Sequence, residues 1–199
     1  LAVALAMRCS QPQEALRFNG RVFIGLVFSF AVIWKLASPD FPCGTFLQFT
    51  MLTDGRFKDF TWLVAGVPLD EVMRNLTLFA EWKTDLQPLP LQLVGSPWLP
   101  HLAAWLSWWT LLIEGAIAIL FLWPKPDRVR KWRHVPLLLF ILTTYPVATV
   151  PGFAMLLTLL GVAQCDPNET RFRYLYAALF IAIPFFSLSP ADFALSLRP

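Results

Sequence analysis

The sequence predicts an all-α integral membrane protein: a four-helix transmembrane bundle with a small extracytoplasmic cap between its first and second helices. The 199 residues are 57% hydrophobic and only 15% charged, whereas soluble domains carry roughly 25% charged residues. Four apolar runs are long and continuous rather than alternating, which favours helices over barrel strands in lipid. With a mean hydropathy of +0.58, the excess apolar surface must face lipid or other subunits.

The four runs give the expected boundaries. A helix needs about 20 residues to cross a bilayer, and the runs near that length cover residues 22–37, 99–123, 135–162 and 172–188. The whole chain, 1–199, is predicted to be a single membrane domain, with a cap at 38–98 and a basic loop at 124–134. Prolines 146, 151 and 184 predict kinks in the third and fourth helices. The first seven residues, LAVALAM, are interpreted as the remnant of a signal or of an earlier helix.

The end of the first helix carries an interface signature. Trp34 and Lys35 follow the apolar run, where an indole favours the interface and a long amine can reach water from the hydrocarbon. Ser38-Pro39-Asp40 then ends the helix, because proline disfavours the helical conformation of the residue before it. Two interpretations of Lys35 stay open, an interface anchor and a functional intramembrane charge.

Charge placement predicts the orientation. The connection KPDRVRKWRH, residues 125–134, holds five Lys or Arg against one Asp, and short basic loops stay on the cytoplasmic side or its stromal or matrix equivalent. Counting four crossings from this loop, the N-terminus and the C-terminus are both predicted on that inner side. The cap is then outside, and residues 40–85 of it are rich in Asp and Glu.

The cap is expected to be folded. It is rich in aromatic residues, and the stretch 69–82 after Pro68 has the pattern of an amphipathic helix. A second interface tryptophan, Trp98, precedes the second transmembrane helix.

Glu114 is the most informative single residue. It lies roughly 15 residues, or about 20 Å, into the second helix, where an ionised carboxylate is costly. It should therefore be neutral, paired or directed into a polar cavity, and Lys35 is a candidate partner. Its role is predicted to be either a proton-handling or headgroup-binding carboxylate or a structural hydrogen bond that holds the bundle together.

The cysteines allow several interpretations. Cys43 and Cys165 both fall outside in the four-crossing topology, so a disulfide between them is one prediction and two free buried thiols the other. Redox catalysis by this pair is a further alternative, although neither has a neighbouring second thiol. The three cysteines show no CxxC and no metal-ligand spacing, which predicts no metal site.

Two further residue pairs are candidate sites. Asn75 and Asn168 each begin an N-x-Thr sequon, so each is a candidate glycosylation site. His101 and His134 are predicted at opposite membrane faces, which rules out one haem held by both, while either alone could ligate a pigment or haem. The sequence contains no recognisable catalytic motif, and its basic residues do not form a nucleic-acid footprint.

One pattern resembles a known family. The spacing Arg21-x3-Gly25-x2-Phe28-x6-Lys35, together with Glu114 in the second helix, resembles the DoxX/MauE-like four-helix membrane proteins and the related transmembrane region of gamma-carboxylase-like proteins. The resemblance implies an up-and-down four-helix bundle, in a family attached to quinol oxidation, thiol stress responses or cargo handling. The long cap departs from the compact members.

Three functional hypotheses follow. The first is a non-catalytic accessory or structural subunit of a larger membrane complex, with membrane lipids and other subunits as partners. The second is a DoxX-like quinone-linked or thiol oxidoreductase component, with Glu114 near the quinone headgroup. The third is a small transporter or lipid-handling protein built around Lys35 and Glu114. Quinone, lipid or pigment are the candidate ligands, and the missing catalytic motif favours a role other than an enzyme.

Overall fold

The computed structural model describes residues 12–84, 90–123, 129, 131–186 and 188–197. Within these residues the protein is all-α, as predicted. The helices are α1 Pro12–Ala37, α2 Thr45–Thr53, α3 Lys58–Leu63, α4 Leu69–Thr84, α5 Leu99–Leu122, α6 His134–Thr144, α7 Pro151–Ala163, α8 Thr170–Phe186 and α9 Pro190–Ser196, with a 3-10 turn at Gly55–Phe57.

Three stretches among the described residues are long and apolar enough to cross a membrane. They are α1, α5 and the stretch Thr170–Ser196, which contains α8 and α9. Their positions agree with the first, second and fourth predicted spans, although α1 begins ten residues earlier, at Pro12 rather than residue 22. The amphipathic cap helix is also present, as α4.

The third predicted span is divided between two helices in the structure. Residues 135–162 do not form one helix: α6 ends at Thr144 and α7 begins at Pro151. Two prolines explain the break, because each lacks an N–H and restricts the residue before it. Val150 accordingly has a non-helical backbone, with φ −125° and ψ 70°. At 1.5 Å per residue the two helices are only about 16 and 20 Å long, shorter than the roughly 30 Å hydrocarbon core.

The chain forms two compact units, where the sequence predicts one domain. The helical unit comprises Leu1–Trp34, Leu111–Tyr145 and Val150–Ser187, and the cap unit comprises Lys35–Thr110, Pro146–Thr149 and Leu188–Pro199.

The helical unit packs α1 closely against the end of α5. Gly25 allows this approach, since a Cβ atom there would lie 2.6 Å from Leu122 Cγ. On the same face of α1, Phe28 is buried and meets Phe140 of α6 edge-on, with 5.0 Å between ring centroids. The small residue and the buried aromatic therefore bring α1, α5 and α6 together.

The cap unit has an apolar core of its own. Its buried members are Met51, Leu52, Phe57, Ala65, Val67, Val72, Leu99, Leu102, Ala103 and Leu106. The hydroxyl of the buried Thr61 is paired, since its Oγ1 donates to Met51 O at 2.9 Å. The cap is thus a folded structure.

The C-terminal helix α9 packs against α3 of the same unit. Lys58 forms an ion pair with Asp192, and Asp59 Oδ1 accepts hydrogen bonds from Ser189 Oγ at 2.9 Å and Ala191 N at 2.7 Å. These contacts place α9 in the cap unit.

Candidate functional site

A buried cluster of His134, Cys165 and Glu169 is the main concentration of chemistry in the helical unit. One ligating atom from each side chain lies within 4.8 Å of the others, and all three residues are buried. His134 is the first residue of α6, Cys165 follows the end of α7, and Glu169 directly precedes α8. Because α6 and α7 form a helical hairpin, the start of α6 and the end of α7 lie next to each other at this cluster.

His134 is held in a defined orientation. Its Nδ1 lies 3.2 Å from Tyr176 Oη and 3.1 Å from Gln164 Nε2, while its Nε2 lies 3.4 Å from Glu169 Oε2. The ring stacks on Phe172 with 4.1 Å between centroids. The Nδ1 edge is therefore occupied by neutral polar groups, and the Nε2 edge faces the carboxylate.

Tyr176 reaches His134 because α7 and α8 pack closely at Gly161. The Tyr176 ring fills the space a side chain would need, since a Cβ atom on Gly161 would lie 2.6 Å from Tyr176 Cε1. Tyr176 itself is fully buried. Gly161 thus positions the side chain that orients His134.

The thiol and the carboxylate of the cluster each form a hydrogen bond with nearby backbone. Cys165 Sγ donates to Gly161 O at 3.1 Å, and burial, reinforced by the negative charge of Glu169, raises the pKa of Cys165 to about 12. Glu169 Oε2 accepts a hydrogen bond from Asp166 N at 2.9 Å. The thiol is therefore protonated at neutral pH and is a poor nucleophile.

Arginines surround the cluster and fix its backbone. Arg133 donates to Gln164 O and Arg173 donates to Cys165 O, each at 3.2 Å, and burial lowers the pKa of Arg133. Arg17, from α1, forms an ion pair with Asp166. The segment 164–169 is thus held between α1, α6 and α8 by charge-assisted hydrogen bonds.

The two predicted intramembrane charges belong to different units. Glu114 lies in the helical unit and is buried, with 4% of its surface exposed. Lys35 belongs to the cap unit, with Nζ 5.5 Å from the centroid of Phe41. Pairing between Lys35 and Glu114 stays a prediction.

The predicted disulfide is not formed. Cys43 is exposed in the cap unit and Cys165 is buried in the helical unit, and both are free thiols. Cys43 Sγ instead lies 3.1 Å from Thr45 Oγ1, and hydrogen bonding from Thr45 lowers the pKa of the Cys43 thiol. A Cys43/Cys165 redox pair therefore has no structural support.

The two sequons differ in accessibility. Asn75 is fully buried; its Nδ2 donates to Val94 O at 2.7 Å and its Oδ1 accepts from Val94 N at 3.0 Å. A glycan on Nδ2 would break this pair, so the folded cap does not present Asn75 for modification. Asn168 is exposed in the segment between α7 and α8.

The two histidines also differ. His101 is exposed in the first turn of α5. His134 is fully buried and covered on one face by Phe172, so ligation of a planar pigment there would require repacking.

Sequence reasoning did not identify Glu169 as a site residue and predicted no metal site. That prediction used spacing along the chain, whereas Cys165 lies 31 residues from His134 and meets it only through the hairpin. The available signal was the polar segment QCDPNE, residues 164–169, which interrupts two strongly apolar stretches.

Comparison of the chain with protein-family models, with curated protein sequences and with solved structures finds no match. The resemblance to the DoxX/MauE-like proteins therefore stays a prediction from the sequence pattern.

Proposed function

We propose that this chain is a multi-pass integral membrane protein that serves as a non-catalytic accessory subunit of a larger membrane complex. The membrane part rests on large apolar side chains that the candidate spans expose. Among them are Phe30, Ile33 and Trp34 of α1, Trp105, Leu112 and Ile119 of α5, and Leu175, Ile181 and Phe185 of α8. Water would solvate such surfaces poorly, and lipid or other helices would cover them.

The proposed topology has three crossings, by α1, α5 and α8, with the α6–α7 hairpin entering and leaving on the inner side. Two contacts support it. Arg17 near the start of α1 pairs with Asp166 after α7, so these two ends share a side. In the cap unit, α9 packs on Asp59, so the C-terminus lies on the side of the cap.

Charge distribution favours the same topology. Under three crossings Arg171 and Arg173 join the basic loop and the N-terminal arginines on the inner side, where Lys and Arg are enriched near membrane helices. The four-crossing alternative would leave both arginines outside. The C-terminus is accordingly proposed to be outside, which replaces the sequence-based prediction.

An aromatic patch on the cap carries the complex-subunit proposal. Phe49 of α2 meets Phe79 of α4 edge-on at 5.4 Å, and Phe79 stacks with Trp82 at 6.1 Å between centroids. Phe46 and Phe49 are about half exposed, at 49% and 45%, and Trp82 is 40% exposed. Neither α2 nor α4 is among the candidate spans, so a partner protein is the proposed cover.

The test is native electrophoresis and mass spectrometry of the protein extracted from its own membrane in mild detergent. We expect the chain to migrate with a defined set of larger subunits, and we expect a Phe49→Ser/Trp82→Ser variant to lose that migration while remaining in the membrane. Thr77→Ala, a change at an exposed polar position of α4, is the matched control. A lone chain or a homo-oligomer in the native extract would contradict the proposal.

A DoxX-like quinone-linked component is the second candidate, favoured by one observation. Glu114 is an almost fully buried carboxyl in the middle of α5, as a headgroup-binding group in an apolar site would be. A Glu114→Gln variant with unchanged quinone-linked activity in native membranes would contradict it.

A further inference from the structure

We infer that His134, Cys165 and Glu169 form a binding site for a divalent transition metal ion of the zinc class. The inference is independent of the proposed function, because it concerns the isolated chain and needs no partner. Imidazole nitrogen, thiolate sulfur and carboxylate oxygen are the three donor types that Zn²⁺ takes from proteins.

The distances suit such an ion. In a tetrahedral zinc site with bonds of about 2.0–2.3 Å, neighbouring ligand atoms lie about 3.3–3.8 Å apart. The three side chains here offer atoms within 4.8 Å of one another, and His134 Nε2 is already 3.4 Å from Glu169 Oε2. The widest separation would therefore have to shorten by about 1 Å when the ion binds.

His134 has the outer contacts expected of a metal ligand. A ligating imidazole usually holds its second nitrogen in a hydrogen bond, which fixes the tautomer and the ring orientation. His134 Nδ1 lies within hydrogen-bond distance of Tyr176 Oη and Gln164. The opposite nitrogen, Nε2, is buried and makes no hydrogen bond of good geometry, although it faces the Glu169 carboxylate.

The charges balance once the ion is bound. The Cys165 thiol gives up its proton to bulk water and becomes a thiolate, so Cys165 and Glu169 together offset the two positive charges of the metal. No electron is transferred. The thiol's hydrogen bond to Gly161 O is exchanged for the metal–sulfur bond. Arg133 and Arg173, which point to backbone carbonyls of residues 164 and 165, continue to hold the segment in place.

Such a site would fasten the two open ends of the hairpin to the start of α8. His134 is 31 residues from Cys165 and 35 from Glu169, so an ion bound by all three stabilises the folded form by the free energy of its binding.

The experiment uses Co²⁺ as a spectroscopic probe on the full chain purified in mild detergent and treated with chelator. A Cys9→Ser/Cys43→Ser background leaves Cys165 as the single thiol of the three. We expect one equivalent of Co²⁺ to give a thiolate-to-cobalt charge-transfer band with four-coordinate d–d bands, and we expect Zn²⁺ to abolish both. Cys165→Ser in the otherwise native chain should lose the charge-transfer band, while Cys43→Ser should keep it.

A native chain without that band, or a band that survives Cys165→Ser, would overturn the assignment and leave the cluster as a hydrogen-bonded network only. Should Cys165→Ser not fold, Glu169→Gln keeps the thiol and tests the site through affinity. Changes to residues that surround the ligands cost about 10- to 100-fold in metal affinity. Glu169→Gln removes a ligand, so its Zn²⁺ affinity should fall by more than that. An unchanged affinity contradicts the site. Tyr176 only positions His134, so the loss of Zn²⁺ affinity in Tyr176→Phe should lie within the range of about 10- to 100-fold.

Discussion

Replacing Gly44 with alanine is expected to destabilise the cap unit by about 2–5 kcal/mol. Gly44 has φ +86°, and an added Cβ atom would lie 2.6 Å from Ala104 N and 2.7 Å from Ala104 Cα. The left-handed conformation costs a residue with a side chain about 1–2 kcal/mol. Overpacking typically costs about 1–3 kcal/mol more, and here the obstacle is helix backbone rather than a flexible side chain.

Thermal unfolding of the purified protein measures this effect, since 1 kcal/mol lowers Tm by about 2–4 °C in a chain of this size. Two other glycines separate the causes. Gly66 has φ +70° with nothing within 4 Å, and Gly55 has neither constraint. Gly66→Ala should therefore show the conformational cost alone and Gly55→Ala almost none. A Gly44→Ala variant no less stable than Gly66→Ala would show that α5 does not approach this turn as described.

Replacing Asn75 with alanine is expected to be the second large effect, with a loss of about 2–6 kcal/mol. The Asn75 amide makes two hydrogen bonds to the backbone of Val94, and it is fully buried. Removing it leaves a backbone N–H and a C=O without partners, and each buried unsatisfied group costs about 1–3 kcal/mol. The irregular segment around Val94 would then lose both of these hydrogen bonds to α4.

A matched variant distinguishes this role from glycosylation. Thr77→Ala abolishes the sequon but leaves the Asn75 amide in place, and Thr77 is exposed on α4. Thermal unfolding should show a large loss for Asn75→Ala and almost none for Thr77→Ala. Equal losses in the two variants, with a glycan detected on the native chain by mass spectrometry, would show that the modification matters instead.

The sequence predicted those elements whose signals are local. Trp34, Lys35 and Pro39 mark the end of α1, which the structure ends at Ala37, and the 24-residue apolar run of α5 was found within one residue. Hydropathy alone could not separate α6 from α7, since both are as apolar as a span. The prolines at 146 and 151 were interpreted as kinks, although two of them five residues apart end one helix and begin the next.

The candidate site could not be predicted in the same way, because it depends on contacts between distant residues. His134 and Glu169 lie 35 positions apart, and only the return of α7 along α6 brings them together. Counting residues 135–162 as a crossing put Cys165 and Cys43 on the same predicted side, which suggested a disulfide between them; in the structure both are free thiols. The prediction of one helix in place of α6 and α7 thus determined both the predicted topology and the predicted cysteine pairing.

The three-crossing topology is the central claim of the membrane proposal, and thiol labelling from one side tests the number of crossings directly. In a Cys9→Ser background, Cys43 is an exposed native thiol on the cap. Two further variants also carry Cys43→Ser and each gains one new thiol at an exposed position. One has Ser196→Cys in α9, and the other has Asn168→Cys in the segment before α8. A membrane-impermeant maleimide added to intact cells should label Cys43 and the Ser196→Cys variant but not the Asn168→Cys variant. Labelling of the Ser196→Cys thiol only from the side opposite Cys43 would contradict the three-crossing topology.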